Sequence, residues 1–176
     1  MTLRMHQFAP CSTANGPGAR AVIWVQGCAL HCPGCFNPET HDAGGGTDID
    51  PLELARRINA LPVRGITLSG GEPLAQPEAL LVLLGALDAG KDVLIYSGLS
   101  VAEAIRSPRR RRVLLGCDAA LMGRYQHGSR HPYDGKELLI RTGRISPDEL
   151  RPHHTVEIIV GGPQGLLTGF PAIQGQ

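Results

Sequence analysis

Three cysteines fall within eight residues, Cys28-Ala29-Leu30-His31-Cys32-Pro33-Gly34-Cys35, in a C-x3-C-x2-C pattern. Thiolates so spaced on one short loop can hold three corners of an iron–sulfur cubane, whose protein ligands are usually four cysteines. A missing fourth ligand leaves one iron open to a small molecule, and that separates a catalyst from an electron carrier. Pro33 and Gly34 suit a tight turn that points successive sulfurs inward. The alternative is a structural zinc site, which wants four ligands and would have to draw the last from His31, Cys11 or Cys117. His31 lies awkwardly between two of the cysteines, and no second C-x2-C pair exists. Cys11 and Cys117 stand alone and read as core residues.

The elements that would position this loop alternate between strand-like and helix-like. Ala21-Val22-Ile23-Trp24-Val25 is a short apolar run that ends just before Cys28, and Gly65 to Ser69 and Asp92 to Tyr96 are further strands. Asp50-Pro51-Leu52-Glu53 starts a helix reaching about Leu61, with Asp as cap, Pro at the first position and Glu where a capping box wants it. A second helix covers about Pro77 to Ala89 and stops at Gly90; Ser100-Val101-Ala102-Glu103 caps a third. Weaker strands are read at Arg112 to Leu115 and Leu138 to Ile140. Ser146 caps a short helix, and the last strand is Val156 to Val160, ended by Gly161-Gly162-Pro163. Such alternation predicts an α/β fold with a mostly parallel sheet, because parallel neighbours need a crossover. About six strands fall short of a full eight-fold barrel, so a partial, open (β/α)6-type barrel is expected over a single domain, residues 1–176. The conspicuous motifs sit at strand C-terminal ends, where barrels place catalysis: Cys28, then Gly70-Gly71-Glu72, then Ser97-Gly98.

Bulk properties exclude several classes. A net charge of +1 gives no whole-protein argument for nucleic acid or membrane, and no direct nucleic-acid binding is expected. The run Arg109 to Arg112 reads as a solvated helix end, its cations suiting the negative pole of the macrodipole. No stretch approaches the roughly 18 apolar residues of a spanning helix. The start lacks the order of a signal peptide, so a cytoplasmic home is expected, where an odd five cysteines serve better as thiolates than as disulfides.

The cysteine loop resembles the signature of the radical S-adenosylmethionine superfamily. Asn15 to Arg20, Trp24 to Cys28 and Cys32-Pro33-Gly34-Cys35-Phe36-Asn37 are similar to the activating enzymes of glycyl radical enzymes, and Ser69-Gly70-Gly71-Glu72-Pro73 matches the second motif. The resemblance runs from about Gln7 to Tyr125. It implies a [4Fe-4S] cluster on Cys28, Cys32 and Cys35, with S-adenosylmethionine bound at the open iron through its amino and carboxylate groups. One-electron cleavage would leave a 5′-deoxyadenosyl radical that takes hydrogen from a glycine of a larger partner, such as anaerobic ribonucleotide reductase. A flavodoxin- or ferredoxin-type donor would supply the electron.

The resemblance also assigns residues. Gly70 and Gly71 let backbone approach the methionyl group, and Glu72 adds negative charge nearby. Gly34, Cys35 and Phe36 lie toward the adenine, Phe36 supplying the stacking face where many members carry an aromatic at the place of Gly34. Ser97 and Arg124 complete the ligand-binding set, and Gly16 and Gly18 flank the substrate peptide. One departure stands out: Met122 replaces a carboxylate that the activases carry beside the ligand, while Arg124 keeps the cation. The competing readings are a stand-alone radical enzyme acting on a peptide or small molecule, and a non-catalytic metal-binding module.

Overall fold

The computed structural model describes residues 1–127, 133–150, 155–159 and 166–169. The strands are β1 (Leu3–Ser12), β2 (Arg20–Val25), β3 (Thr47–Ile49), β4 (Gly65–Gly70), β5 (Asp92–Ser97), β6 (Ala119–Met122), β7 (Glu137–Ile140), β8 (Val156–Ile159) and β9 (Leu166–Gly169). The helices are α1 (Pro51–Asn59), α2 (Pro77–Gly85), α3 (Val101–Ile105) and α4 (Pro108–Gly116). Seven strands form one sheet in the order β3-β1-β2-β4-β5-β6-β7, and β8 pairs with β9 in a separate hairpin.

The α/β class stands, and the seven strands form an open, mixed sheet. Only β2, β4, β5 and β6 run parallel. β1 pairs antiparallel with both β2 and β3, and β7 pairs antiparallel with β6. The physical reason is connection length: the link from β1 to β2 is residues 13–19, too short for the crossover that parallel pairing demands. The predicted end of the last strand at Val160, the stop at Gly161 to Pro163, and His153 and His154 lie outside the described residues.

Alternation along the parallel strands assigns the two faces. Ala21, Ile23, Val25, Ile66, Leu68, Val93, Ile95, Ala120 and Met122 belong to the main core under the helices. That layer is formed by α2 packed between α1 and α4. The other face carries Val22 and Trp24, which meet Ile159 and Leu166 of the hairpin, and Leu94 and Ala119, which meet Ile145 and Leu150. Caps follow the local chemistry. Asp50 accepts from the Leu52 amide at 2.9 Å, and Ser100 with Glu103 forms a complete capping box. Glu53 instead pairs with Arg56 at 2.7 Å.

The arginine run is also corrected. Ser107 caps a new helix with Pro108 in its first turn, so Arg109, Arg110 and Arg111 occupy the start of α4 and not a helix end, and Arg112 to Leu115, expected as a strand, continue that helix. Cations there face the positive pole of the macrodipole, which disfavours them. Local contacts offset part of this: Arg109 pairs with Glu78 at 2.9 Å and Arg110 Nε donates to the Leu74 carbonyl at 2.9 Å.

At the opposite end of the strands lies an ionic cluster with no sequence signature. Arg20, fully buried, sits with Nη2 2.6 Å from Asp92 Oδ1, while Nε and Nη1 donate to Thr67 Oγ1 and the Pro17 carbonyl at 2.9 and 3.0 Å. Arg64 reaches the other Asp92 oxygen at 2.6 Å. Burial pulls the Arg20 pKa down and Asp92 pushes it back up. Through the Pro17 carbonyl the cluster also ties down the residue 13–19 loop.

Candidate active site

A cavity of about 410 Å³ lies at the C-terminal ends of the parallel strands, with Cys28, Cys32 and Cys35 all on its wall. Each thiol is half-buried and unpaired with any other cysteine. Backbone bonds shape their loop: the Cys28 amide donates to the His41 carbonyl at 3.2 Å and the Cys35 amide to the Cys32 carbonyl at 3.1 Å. His31 takes a left-handed conformation with φ 45°, alone among the described non-glycine residues. Burial pushes the Cys28 and Cys35 thiols up, and for Cys28 the Glu72 carboxylate and the two other cysteines add to the rise. Cluster binding has to displace those protons, so loading releases them.

The donor set fits a cubane better than a single ion. Among the described residues, no three His, Cys, Asp or Glu side chains converge on one metal position. A zinc site requires four ligands about 2.0–2.3 Å from one ion. A cubane puts each thiolate on a different iron, so its ligands need only ring a common space, as these three do.

The second motif closes on the first. The Gly71 amide donates to the Val25 carbonyl at 2.8 Å and the Glu72 amide to the Gly27 carbonyl at 3.0 Å. Gly71 is glycine by necessity: a Cβ there would stand 2.4 Å from the Gly27 oxygen. Gly70, Gly71 and Glu72 all line the cavity. Glu72 is 4% exposed, and its oxygens are committed to the Leu74 amide at 2.9 Å, Ser97 Oγ at 2.8 Å and the Gly98 amide at 2.8 Å. Burial pushes its pKa up, and those three donors oppose the rise. Glu72 therefore ties the glycine pair to the end of β5, a structural duty beyond the charge expected of it, and Ser97 lines the cavity as its partner.

The remaining expectations divide. Phe36 lines the cavity, 38% exposed, with Tyr125 packed edge-on at 5.9 Å. Gly34 does not line it; its missing Cβ would stand 2.0 Å from Nδ1 of His127, so that ring fills the space an aromatic at 34 would need. Gly16 and Gly18 do not line it either. They pack against Arg20 with Leu94 and against Arg64, and Asn15 is the residue of that loop on the cavity wall. Arg124 is bidentate to Glu103 at 2.8 and 3.0 Å and also donates to the carbonyl of Gly98, a wall residue, but does not itself line the cavity. Met122 is fully buried in the main core, so its departure from the activase pattern falls among apolar side chains.

Sequence reasoning missed much of the wall, and four of the missed residues bear directly on its chemistry. Trp24 and Tyr96 stand on the face opposite the helical core, which strict alternation along β2 and β5 would have flagged. Tyr133 stacks on Tyr96 with ring centroids 5.8 Å apart and hydroxyls 2.9 Å apart. Lys136 brings a cation, and nothing local in Asp134-Gly135-Lys136 announces it.

A wall of three thiols beside a glycine pair, on an open sheet, defines a one-cluster iron–sulfur protein. In agreement, the model of the 4Fe-4S single cluster domain matches residues 14–137. The chain is 34% identical over 112 residues to the anaerobic ribonucleoside-triphosphate reductase-activating protein of Salmonella typhimurium, covering 57% of this chain and 72% of that one. It is 30% identical over 125 residues to the protein of the same name from Enterobacteria phage T4, covering 66% and 78%. A pyruvate formate-lyase-activating enzyme of Clostridium pasteurianum is 37% identical over 87 residues, covering 46% and 37%. The chain belongs to the radical S-adenosylmethionine family of glycyl radical activating enzymes, whose cofactors are a [4Fe-4S] cluster and S-adenosylmethionine.

Proposed function

We propose that this chain activates a glycyl radical enzyme of the anaerobic ribonucleotide reductase class, taking hydrogen from a glycine of that partner. The observation that carries the reading is the single cavity shared by Cys28, Cys32, Cys35, Gly70, Gly71 and Glu72. The relatives' names supply the partner class. When bound, the cluster and S-adenosylmethionine supply one-electron cleavage and a carbon radical; the protein supplies binding, orientation and exclusion of water.

The three cysteines would hold the cluster, and the Gly70-Gly71 backbone would receive the methionyl ammonium. Glu72 keeps that backbone in register with β5 through Ser97 and Gly98. Phe36 and Tyr125 offer aromatic surface for adenine. Asn15, Trp24 and Thr168 wall the side from which a peptide would enter. Because the sheet does not close, with β3 and β7 at its edges, a partner's loop has a lateral approach. The partner set is completed by a flavodoxin- or ferredoxin-type electron donor, and the setting is cytoplasmic; no helix among the described residues is long and apolar enough to cross a membrane. The contact of Ser12 and Thr13 with Glu157, at 2.6 and 3.1 Å, supports reading residues 1–176 as one domain.

The test is anaerobic reconstitution followed by electron paramagnetic resonance. The chain should carry about four iron and four sulfide, and Cys32→Ala should lose them. With reductant, S-adenosylmethionine and an anaerobic ribonucleotide reductase, a glycyl radical signal should appear on the partner. A loaded chain that cleaves S-adenosylmethionine yet never gives that signal defeats the assignment of this partner class.

A further inference from the structure

Negative charge dominates the cavity wall. Cys28, Cys32 and Cys35 are thiolates whenever a cluster is held, and Glu72 adds a carboxylate. Against them, Lys136 is the one lysine or arginine among the described wall residues. A pinned turn delivers it: the Lys136 amide donates to the Tyr133 carbonyl at 3.1 Å, Gly135 takes φ 70°, and Tyr133 is held on Tyr96. The Lys136 ammonium donates to the Gly123 carbonyl, which uses one of its three N–H groups. Burial lowers the Lys136 pKa, as does the nearby Arg124 cation to a lesser degree, while Cys32, Glu72 and Cys35 act to keep it charged. The guanidinium expected in this place, Arg124, is engaged by Glu103 and the Gly98 carbonyl and does not line the cavity.

The methionyl group of S-adenosylmethionine is a zwitterion, and its two ends need opposite surroundings. The Gly70–Glu72 segment suits the ammonium, which leaves the carboxylate to find a cation. We propose that Lys136 is the positioning residue that pairs with the carboxylate of S-adenosylmethionine, in place of Arg124. This rests on the proposed function and names the charge partner within the same site. A half-buried ammonium facing an anion is worth more than an exposed pair, because the surrounding dielectric is lower.

The experiment uses the full chain, reconstituted anaerobically as wild type, Lys136→Met and Lys136→Arg. Iron content is measured first, then affinity for S-adenosylmethionine and for its decarboxylated analogue by titrating the reduced-cluster resonance signal. All three proteins should carry equal iron. Lys136→Met should bind S-adenosylmethionine about 10- to 100-fold more weakly, the loss of one charge-assisted hydrogen bond. Its affinity for the decarboxylated analogue should stay within about twofold of wild type, and Lys136→Arg should recover most of the loss, since both changes concern only the carboxylate's partner. Unchanged affinity in Lys136→Met overturns the inference, as does an equal loss for both ligands, which would mark a structural role or a general effect on cluster charge. A cluster-loaded wild type that binds no S-adenosylmethionine overturns the parent reading first, before any variant is compared.

Discussion

Replacing Gly71 by alanine tests whether the two motifs are in the mutual contact the fold shows. The new Cβ would lie 2.4 Å from the Gly27 oxygen, 2.9 Å from its carbonyl carbon and 3.2 Å from its nitrogen. To reach an ordinary 3.0 Å floor, the loops must part by about 0.6 Å, the overpacking regime that costs about 1–3 kcal/mol. Neither side yields easily. Gly27 donates to the Thr40 carbonyl at 2.8 Å and accepts from Glu72, while Gly71 donates to Val25 at 2.8 Å. Cys28 follows Gly27 directly, so the displacement reaches the cluster loop. A chain of this length loses about 2–4 °C in Tm per kcal/mol. A shift approaching 1 Å at a reacting centre can cost about a hundredfold in rate. The assay is paired: Gly71→Ala against Gly85→Ala, whose Cβ at the end of α2 would meet nothing within 4 Å. Gly85→Ala should gain about 0.4–1 kcal/mol by restricting the unfolded chain. Gly71→Ala should lower Tm, S-adenosylmethionine affinity and cluster retention together. If it matches wild type in all three, the close approach of the two loops is wrong.

Other expectations follow from the same contacts. Asp92→Asn leaves fully buried Arg20 without its counter-charge and should cost about 3–5 kcal/mol in urea unfolding; a loss under about 1 kcal/mol would mean the guanidinium is satisfied by Thr67, Pro17 and Ile66 alone. Cys117 is buried and its thiol is pushed up to about 12 by desolvation. In the cluster-free chain at pH 8, iodoacetamide should therefore label exposed Cys11 and spare Cys117 until denaturant is added, which mass spectrometry resolves. Glu103 is held down to about 2 by the Ser100 amide first and Arg124 second. A depressed carboxylate stabilises above its unfolded pKa and loses that contribution as pH falls through the folded value. The Tm difference between wild type and Glu103→Gln should then be constant above about pH 5 and shrink toward pH 2; a difference that grows on acidification would reverse the sign and refute the pairing.

Much of the site was legible because its chemistry is contiguous in the chain. The cysteine spacing and Ser69-Gly70-Gly71-Glu72 carry their geometry within a few residues, and the apolar β-branched runs before them assigned β2 and β4 directly. Asp50-Pro51 and Ser100 located α1 and α3 through capping chemistry that is equally local. Failures occur where the deciding interaction is remote. Arg112-Val113-Leu114-Leu115 resembles a strand by composition, yet Ser107-Pro108, four residues earlier, starts a helix through it. β1 went unread because its burial alternates only in part, and its antiparallel place depends on the short 13–19 link. Arg20 gives no local sign of being buried, since Asp92 lies 72 positions away.

The exchange of Arg124 for Lys136 follows from the same distinction between near and far. Arg124 follows β6 closely, and proximity in sequence to a matched motif made it the natural cation. Its fate is decided by Glu103, at the capping box of α3, which already accepts from the Ser100 amide at 2.8 Å and so presents an ordered carboxylate to the guanidinium. With Arg124 held by Glu103 and the Gly98 carbonyl, the cavity's positive charge has to come from another segment, and the Tyr133–Lys136 turn provides it because β7 returns antiparallel beside β6. The two are therefore coupled. Glu103→Gln should release Arg124 toward the cavity, so the double variant Glu103→Gln, Lys136→Met should bind S-adenosylmethionine more tightly than Lys136→Met alone, by about threefold or more if even half of one charged contact returns. Equal affinity in the two would show that Arg124 cannot reach the site, leaving Lys136 as its sole source of positive charge among the described residues.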